Sequence, residues 1–166
     1  KSGFFSDANT PDKALVKILA GAELGIQPFA AMSGIHIIKG KASLGANLLA
    51  GLVKSHPKYD YRVRETSAKI CTIEFFEGGD SLGTVSFDGQ QAKQAGVQNM
   101  NKFPQNMLFA RAMSNGVKFF CPDVTSGAPV YSPDELGANV DEDGNMINVT
   151  PPEQHGDVVE AEYVHE

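Results

Sequence analysis

The sequence predicts an α+β fold, in which a small antiparallel sheet (a hairpin plus a three-stranded meander) packs with helices and a disordered acidic C-terminal tail follows. Three observations lead to this fold class. Apolar residues recur at helical spacing near the start of the chain and again before residue 120. Polar and apolar residues alternate over residues 59–64, at the start of the predicted meander, and the chain becomes acidic after residue 125. Helices and strands grouped along the chain in this way are typical of α+β domains.

The first element is predicted to be a helix beginning at Pro11. Thr10, Pro11 and Asp12 suit the N-cap, the first position and the first turn of a helix. The buried face is expected to consist of the apolar residues at i, i+3, i+4 and i+7 spacing, which are Leu15, Ile18, Leu19 and Ala22. Gly25 is expected to end the helix with a left-handed residue, and Pro28 to prevent its resumption.

A hairpin and a second helix are predicted next. Residues 35–44 indicate two short strands around the turn Lys39-Gly40-Lys41. The following helix fits residues 46–54 and ends at His56-Pro57, since a residue before proline disfavours helical geometry. Its inward positions are expected to be Leu48, Leu49, Leu52 and Val53.

The central part of the chain predicts the three-stranded meander. The strands cover residues 59–64, 69–77 and 82–87. Alternation places Arg62 and Arg64 on one face of the first strand. Phe75 and Phe76 are adjacent and therefore face opposite sides. One of them is expected in the core with Phe87, and the other is expected to need a helix to cover it.

The remaining elements are two helices and a capped turn. A short helix is predicted over residues 90–95, and a long one from Pro104 to Phe120. The long helix has an apolar stripe of Ala110, Met113, Val117 and Phe120, and a polar stripe of Arg111, Asn115 and Lys118. Ser132 as N-cap and Pro133 at the first position favour one helical turn near residue 135.

Charge divides the chain into a basic body and an acidic tail. All 14 lysines and arginines lie within residues 1–118, and residues 1–125 hold 10 acidic residues, a balance of +4. Residues 126–166 hold the other 10 acidic residues and no lysine or arginine, a balance of −10. We therefore expect a polyanion-binding domain over residues 1–137 and a disordered tail over residues 138–166. The tail is expected to compete for the same surface, to recruit a partner, or only to keep the protein soluble.

The sequence does not predict an enzyme. It has no phosphate-binding glycine loop, no nucleophile elbow and no zinc-protease motif. The adjacent carboxylates Asp134 and Glu135 stand where nothing is expected to bury them or to shift their pKa values. Cys71 and Cys121 do not form a disulfide framework, which favours a reducing, cytoplasmic setting. No cofactor and no metal are expected.

Basic and aromatic residues are the candidate binding groups. The cations are Lys39 and Lys41 beside the hairpin turn, Arg62 and Arg64 on one strand face, and Arg111 and Lys118 on one helix face. Each pair alone is typical of a solvated surface, whereas together they are able to line a groove for successive phosphates. Phe103, Phe119 and Tyr131 are candidates for stacking on bases, although Phe119 and Phe120 at a helix end are more often core residues.

Several segments in the same order resemble a known family. They are Gly21–Pro28 (GAELGIQP), Ile35–Lys41 (IHIIKGK) with Leu44, and Phe103, Pro104, Met107, Arg111-Ala112, Lys118 and Pro122-Asp123, followed by Gly127 and Tyr131–Leu136 (YSPDEL). In these segments, and over residues 10–137 as a whole, the chain resembles the RecT/Redβ-like single-strand annealing proteins of phages.

The resemblance implies a function and a set of partners. Such proteins bind single-stranded DNA, oligomerise along it and pair it with a complementary strand through an annealed duplex intermediate, without ATP. Lys39-Gly40-Lys41 would lie near the DNA backbone, Arg111 and Lys118 would contact phosphate, and Phe103 would lie beside the bases or brace the helix. The implied setting is the cytoplasm of a bacterial host cell, with an exonuclease or a host single-strand-binding protein as partner and no membrane. The alternative is a protein-interaction module that uses the acidic tail and does not bind DNA.

Overall fold

The computed structural model describes residues 5, 8, 10–128 and 130–141. The helices are α1 (Pro11–Glu23), α2 (Pro28–Gly34), α3 (Ala46–Ser55), α4 (Gly89–Gln94) and α5 (Pro104–Phe120). The strands are β1 (Ile35–Ile38), β2 (Lys41–Leu44), β3 (Tyr59–Thr66), β4 (Ile70–Glu77) and β5 (Asp80–Asp88). Two 3₁₀ turns follow, η1 (Pro122–Thr125) and η2 (Pro133–Leu136). The strands form an antiparallel hairpin, β1–β2, and an antiparallel meander, β3–β4–β5, so the predicted α+β fold is confirmed.

The three-stranded sheet has one buried face and one outer face. Cys71, Ile73 and Phe75 alternate along β4 and are all buried. Val85 and Phe87 of β5 lie opposite Ile73 and Cys71 and complete this inner face. Helix α5 packs across the inner side of β4 and β5, and α3 packs against α5 and β3. The core therefore lies between this sheet and the two helices.

Phe76 is covered by arginines instead of a helix. Phe75 is the core residue, with 1% of its surface exposed. Phe76 lies on the outer face, where the guanidinium carbons of Arg62 and Arg64 stand 5.1 and 5.8 Å from its ring centroid. The expectation that a helix covers the second phenylalanine is wrong, because arginine stems and guanidinium planes shield an aromatic ring while their charge stays in water.

The closest approach of α5 to the sheet is at Gly116. A Cβ atom at this position would lie 2.0 Å from the ring of Phe75. No side chain larger than hydrogen fits there, so the glycine determines how closely α5 approaches the sheet. The prediction that Met113 and Val117 lie on the buried stripe of this helix is confirmed, since both are fully buried.

Helix α1 presents a different face from the predicted one. Leu15 and Leu19 are each more than half exposed, whereas Lys17 and Gly21 are buried. The reason is close packing with α2: a Cβ on Gly21 would lie 2.4 Å from the Cβ of Ala31. Apolar periodicity favours the leucine stripe, but the smallest residues make the helix contact.

The helix pair α1–α2 also departs from the expectation at Pro28. This proline does not prevent helix formation but occupies the first position of α2, where its missing N–H has no cost.

Four apolar side chains remain exposed on the pair, and we call them the α1–α2 apolar face: Leu15, Val16, Leu19 and Phe29. Among the described residues no single helix is long and apolar enough to cross a membrane; α1 and α2 meet that requirement only together, across a bend of 114°.

The packed body continues past the predicted domain boundary at residue 137. Ala138 and Val140 are buried, and the side-chain amide of Asn99 donates a 3.0 Å hydrogen bond to the carbonyl oxygen of Val140. The predicted disordered tail falls, from residue 142 onward, outside the described residues.

We predict that Gly116→Ala lowers the free energy of unfolding by about 1–3 kcal/mol, because the new methyl group overlaps the Phe75 ring. The matched control is Gly51→Ala in α3, where no atom lies within 4 Å of the new Cβ. This control should raise stability by about 0.5–1 kcal/mol through helix propensity. Urea unfolding of the three proteins measures both effects. Equal stability of Gly116→Ala and the parent would contradict the close contact of α5 with Phe75.

Candidate nucleic-acid interface

The β1–β2 hairpin presents two lysines at its turn. Ile38 pairs with Lys41, which leaves Lys39 and Gly40 as the two turn residues, with φ angles of +51° and +74°. Two consecutive left-handed residues are what a type I′ turn requires, and this turn matches the twist of the strands. Lys39 and Lys41 are both exposed, so the hairpin holds two ammonium groups in solvent on a short, hydrogen-bonded support. The predicted hairpin is confirmed.

Tyr131 joins the hairpin to α5. Its carbonyl oxygen accepts a 3.1 Å hydrogen bond from the backbone N–H of Leu44 in β2. Its ring centroid lies 5.3 Å from Nζ of Lys41 and 5.7 Å from Nζ of Lys118. Both distances suit cation–π attraction. One aromatic ring therefore holds a hairpin lysine and a helix lysine close together.

Arg111 is bound by carboxylates of η2. Its Nε donates a 2.7 Å hydrogen bond to Asp134, and its Nη1 lies 2.9 Å from Glu135. Only 12% of the Arg111 side chain and 4% of the Asp134 side chain are exposed. Lys118 is half-buried and donates to Glu135 at 2.9 Å. Arg111 and Lys118 of the polar stripe of α5 thus bind the chain's own carboxylates.

Glu135 is held in its charged form. Burial by itself raises the pKa of this carboxyl, but the backbone N–H of Ser132 and the ammonium of Lys118 more than offset it, and the pKa is lowered. The Ser132 N–H donates at 2.6 Å as part of a capping box, and the Ser114 hydroxyl donates at 3.2 Å. The carboxylate therefore ties η2 to two turns of α5.

The expectation that nothing buries Asp134 and Glu135 is wrong, and so is the expectation that the pKa of Glu135 is not shifted. The capping residues of η2 were correctly predicted, and the capping box turns both acids toward α5. Their partners lie 17 to 24 residues earlier in the chain, so no local spacing rule reveals them. The same pairing removes Arg111 from the set of exposed cations.

Arg62 and Arg64 lie on the other side of the sheet. Arg62 pairs across β3–β4 with Glu74, on the outer face. Arg64 binds the Glu74 carboxylate, whose pKa is lowered by hydrogen bonds from Ser81 and then Arg64. Arg111 by contrast stands 5.8 Å from the ring of Phe87, on the inner face. The sheet therefore separates Arg62 and Arg64 from Arg111, and the three arginines do not line one groove.

The predicted aromatic contacts are also dispersed. Phe103 is half-buried at the N-cap of α5, about 22 Å along the helix axis from Lys118. Phe119 was a candidate for stacking on a base, with a core position as the more common alternative, and its side chain is 68% exposed. The ring of its neighbour Phe120 lies 5.8 Å from that of Phe75, centroid to centroid. A helical periodicity that places Val117 and Phe120 inward leaves Phe119 outward, and this signal was available in the sequence.

Five of the nine candidate residues gather in one place. Lys39 completes the group, because a Cβ on Gly137, the C-cap of η2, would lie 3.3 Å from its Nζ. We call this group the η2 cluster, made up of Lys39, Lys41, Arg111, Lys118 and Tyr131. Within the described ranges, Lys39 and Lys41 have no carboxylate at ion-pair distance. These two lysines are the cations that the cluster offers to a ligand.

The cysteines are poorly suited to nucleophilic chemistry. Both are buried and unlinked, and burial raises the pKa of Cys71 to about 11 and that of Cys121 to about 12. At neutral pH they are therefore thiols, whereas the thiolate is the reactive form. The part of the chain that the structure describes contains no group of three or more histidine, cysteine, aspartate or glutamate residues placed to hold a metal ion.

No protein-family model matches this chain, and no curated protein is significantly similar to it. The function must therefore be argued from the geometry of the η2 cluster and from the motifs described above.

We predict that Glu135→Gln lowers the free energy of unfolding by about 1–3 kcal/mol, because Arg111 and Lys118 lose a charged partner in a largely buried site. The matched control is Glu77→Gln, which removes a carboxylate from an exposed pair with Lys58 and should change stability by less than about 1 kcal/mol. Urea unfolding at neutral pH measures both. Similar small effects in the two variants would show that η2 is not anchored by charge.

The lowered pKa of Glu135 also predicts a pH dependence. A carboxyl with a lowered folded-state pKa contributes its full stabilisation above its ordinary value of 4.5 and loses it as the pH falls through the folded-state value. The stability difference between the parent and Glu135→Gln should thus be constant between about pH 5 and 8 and shrink below pH 4.5. A difference that instead grows on acidification would contradict the assignment.

Proposed function

We propose that the protein binds single-stranded DNA at the η2 cluster and anneals complementary strands without ATP. The observation that carries this proposal is the convergence of Lys41 and Lys118 on the ring of Tyr131. Lys39 stands beside them, at the hairpin turn and close to Gly137. Cations beside an aromatic ring are the combination that binds single strands without regard to sequence. The resemblance of the same segments to the single-strand annealing family supports the same function.

The hairpin lysines are the proposed phosphate contacts. Each ammonium that neutralises a phosphate releases condensed counterions, so binding is driven by charge and weakens with salt. Lysine offers a compact charge instead of a planar fork, which suits contact with successive phosphates in varied geometry. Contacts to the backbone leave base edges available for pairing, as annealing requires.

Arg111 is proposed as a positioning residue. Its guanidinium is bound by Asp134 and Glu135, so its part in the function is to hold η2 and Tyr131 against α5. Lys118 shares this role through Glu135 and adds its ammonium to the Tyr131 ring. We accordingly revise the expectation that Arg111 contacts phosphate directly.

Binding is proposed to depend on several copies of the chain acting along one strand. Two lysines that have no carboxylate partner among the described residues, and one ring, provide few contacts per copy. Single contacts of this kind are weak at physiological salt. Linked or adjacent copies raise the effective concentration of each further contact. This proposal predicts assembly on long oligonucleotides.

A second candidate function is a protein-interaction module. The observation that favours it is the α1–α2 apolar face, because exposed apolar clusters often mark protein contacts. This function requires no affinity for DNA. The two candidates therefore differ in a direct measurement.

We predict that the protein accelerates the pairing of complementary oligonucleotides in buffer without nucleotide. We further predict that the double variant Lys39→Ala/Lys41→Ala reduces the affinity for a single strand and lowers the slope of log affinity against log salt by about 1.4, or about 0.7 for each lost phosphate contact. Fluorescence anisotropy across a salt series measures this slope.

The matched control is Lys93→Ala, which removes an exposed cation of α4 outside the η2 cluster. It should keep the parent slope. Parent protein that neither binds single strands with a salt-dependent affinity nor accelerates pairing would reject DNA annealing in favour of the interaction module. An unchanged slope in the double variant would reject the hairpin as the contact.

A further inference from the structure

A cavity of about 500 Å³ opens beside the η2 cluster. It lies between α1, the β1–β2 hairpin, residues 125–128 and Tyr131. Its walls are mostly apolar and include Ala20, Leu24, Ile35, Ala42 and Leu44. Lys41 and Tyr131 belong both to this lining and to the cluster, so a ligand in the cavity touches the proposed DNA-binding residues.

The cavity combines apolar walls with a few polar groups, both cationic and acidic. The Lys41 ammonium stands at the Tyr131 ring, and Lys118 approaches the same ring. The carboxylate of Glu23, at the end of α1, is the acidic group of the lining. Such a site suits a ligand with a flat apolar body, an N–H donor and an anionic group attached nearby.

We propose that this cavity receives one unstacked base of a bound single strand, while the neighbouring phosphate lies against Lys41. This inference rests on the proposed DNA binding and adds to it a base-binding site. Cavities of roughly 300–1,000 Å³ enclose drug-sized ligands, so a nucleoside fits in volume. The Glu23 carboxylate accepts hydrogen bonds from base amino or imino groups.

The charges favour a nucleotide over an acidic peptide that carries an aromatic side chain. Both ligands offer a ring and a negative charge. A peptide with several carboxylates, however, would bring them close to Glu23 in the cavity wall, which repels them. In a nucleotide the charge is on the phosphate, outside the base, where Lys39 and Lys41 stand on the hairpin.

The base site gives each copy a fixed point on the strand. A base held in the cavity is removed from pairing, while its neighbours on the sugar–phosphate chain stay exposed. The bound strand is thereby unstacked at regular points, which separates bases from one another before a complementary strand arrives. Release of the held base then completes the duplex.

The experiment uses oligonucleotides that carry 2-aminopurine, whose fluorescence rises when the base leaves the stack. The parent should raise this fluorescence and should bind a base-containing strand about tenfold more tightly than an abasic sugar–phosphate chain of equal length. Ala42→Phe and Ala128→Phe each place a large side chain in the cavity, from two different walls and at exposed positions. Each should abolish the fluorescence rise and reduce affinity to that for the abasic chain, with the salt slope unchanged.

The control is Ala95→Phe at the end of α4, which is exposed and outside the cavity and should behave as the parent. If the parent binds strands with a salt-dependent affinity but shows no fluorescence rise, or if both filled variants keep it, the base site is wrong and DNA binding stands. If the parent binds no strand at low salt, the proposed function fails together with this inference. Binding of a phenylalanine-containing acidic peptide that Ala42→Phe blocks and oligonucleotide does not displace would also overturn it.

Discussion

The contact of Gly116 with the Phe75 ring is the constraint on which the functional surface depends. It allows α5 to approach the sheet more closely than any side chain at that position would permit. The depth and rotation of α5 then determine where Arg111 and Lys118 project, and these two residues position η2 through Asp134 and Glu135. A glycine in the core thus controls how η2 and Tyr131 are placed beside the hairpin lysines.

The internal ion pairs change how the charge of the body should be understood. A balance of +4 over residues 1–125 gives the impression of a basic surface. In the folded chain, Arg111, Lys118 and Arg64 are bound to carboxylates, and Arg62 lies across the sheet from the η2 cluster. The cationic surface that remains beside Tyr131 is small and lies at the hairpin turn. The expectation that all six cations together line one groove is therefore wrong.

Local chemistry determined which parts of the fold were predictable. The helix starts at Thr10-Pro11 and Pro104 and the Lys39-Gly40 turn depend on neighbouring residues, and each was correctly predicted. The same holds for the opposite orientation of Phe75 and Phe76 in β4. The errors concern contacts between distant segments. Gly21 packs against Ala31, so the buried face of α1 is not the one that was expected. Glu135 binds Lys118 and is largely buried, although it was expected in solvent. Whether a side chain is buried depends on which element packs against it, and the spacing of residues along a single element does not reveal that.

The two shielded thiols have a practical consequence for chemical labelling. Cys71 and Cys121 are the two cysteines of the sequence, and burial keeps both protonated at neutral pH. A cysteine introduced on the exposed hairpin turn would therefore react with a maleimide dye far faster than either native residue. A variant with one cysteine at this turn thus accepts a single fluorophore near the η2 cluster without prior removal of the native sulfhydryl groups.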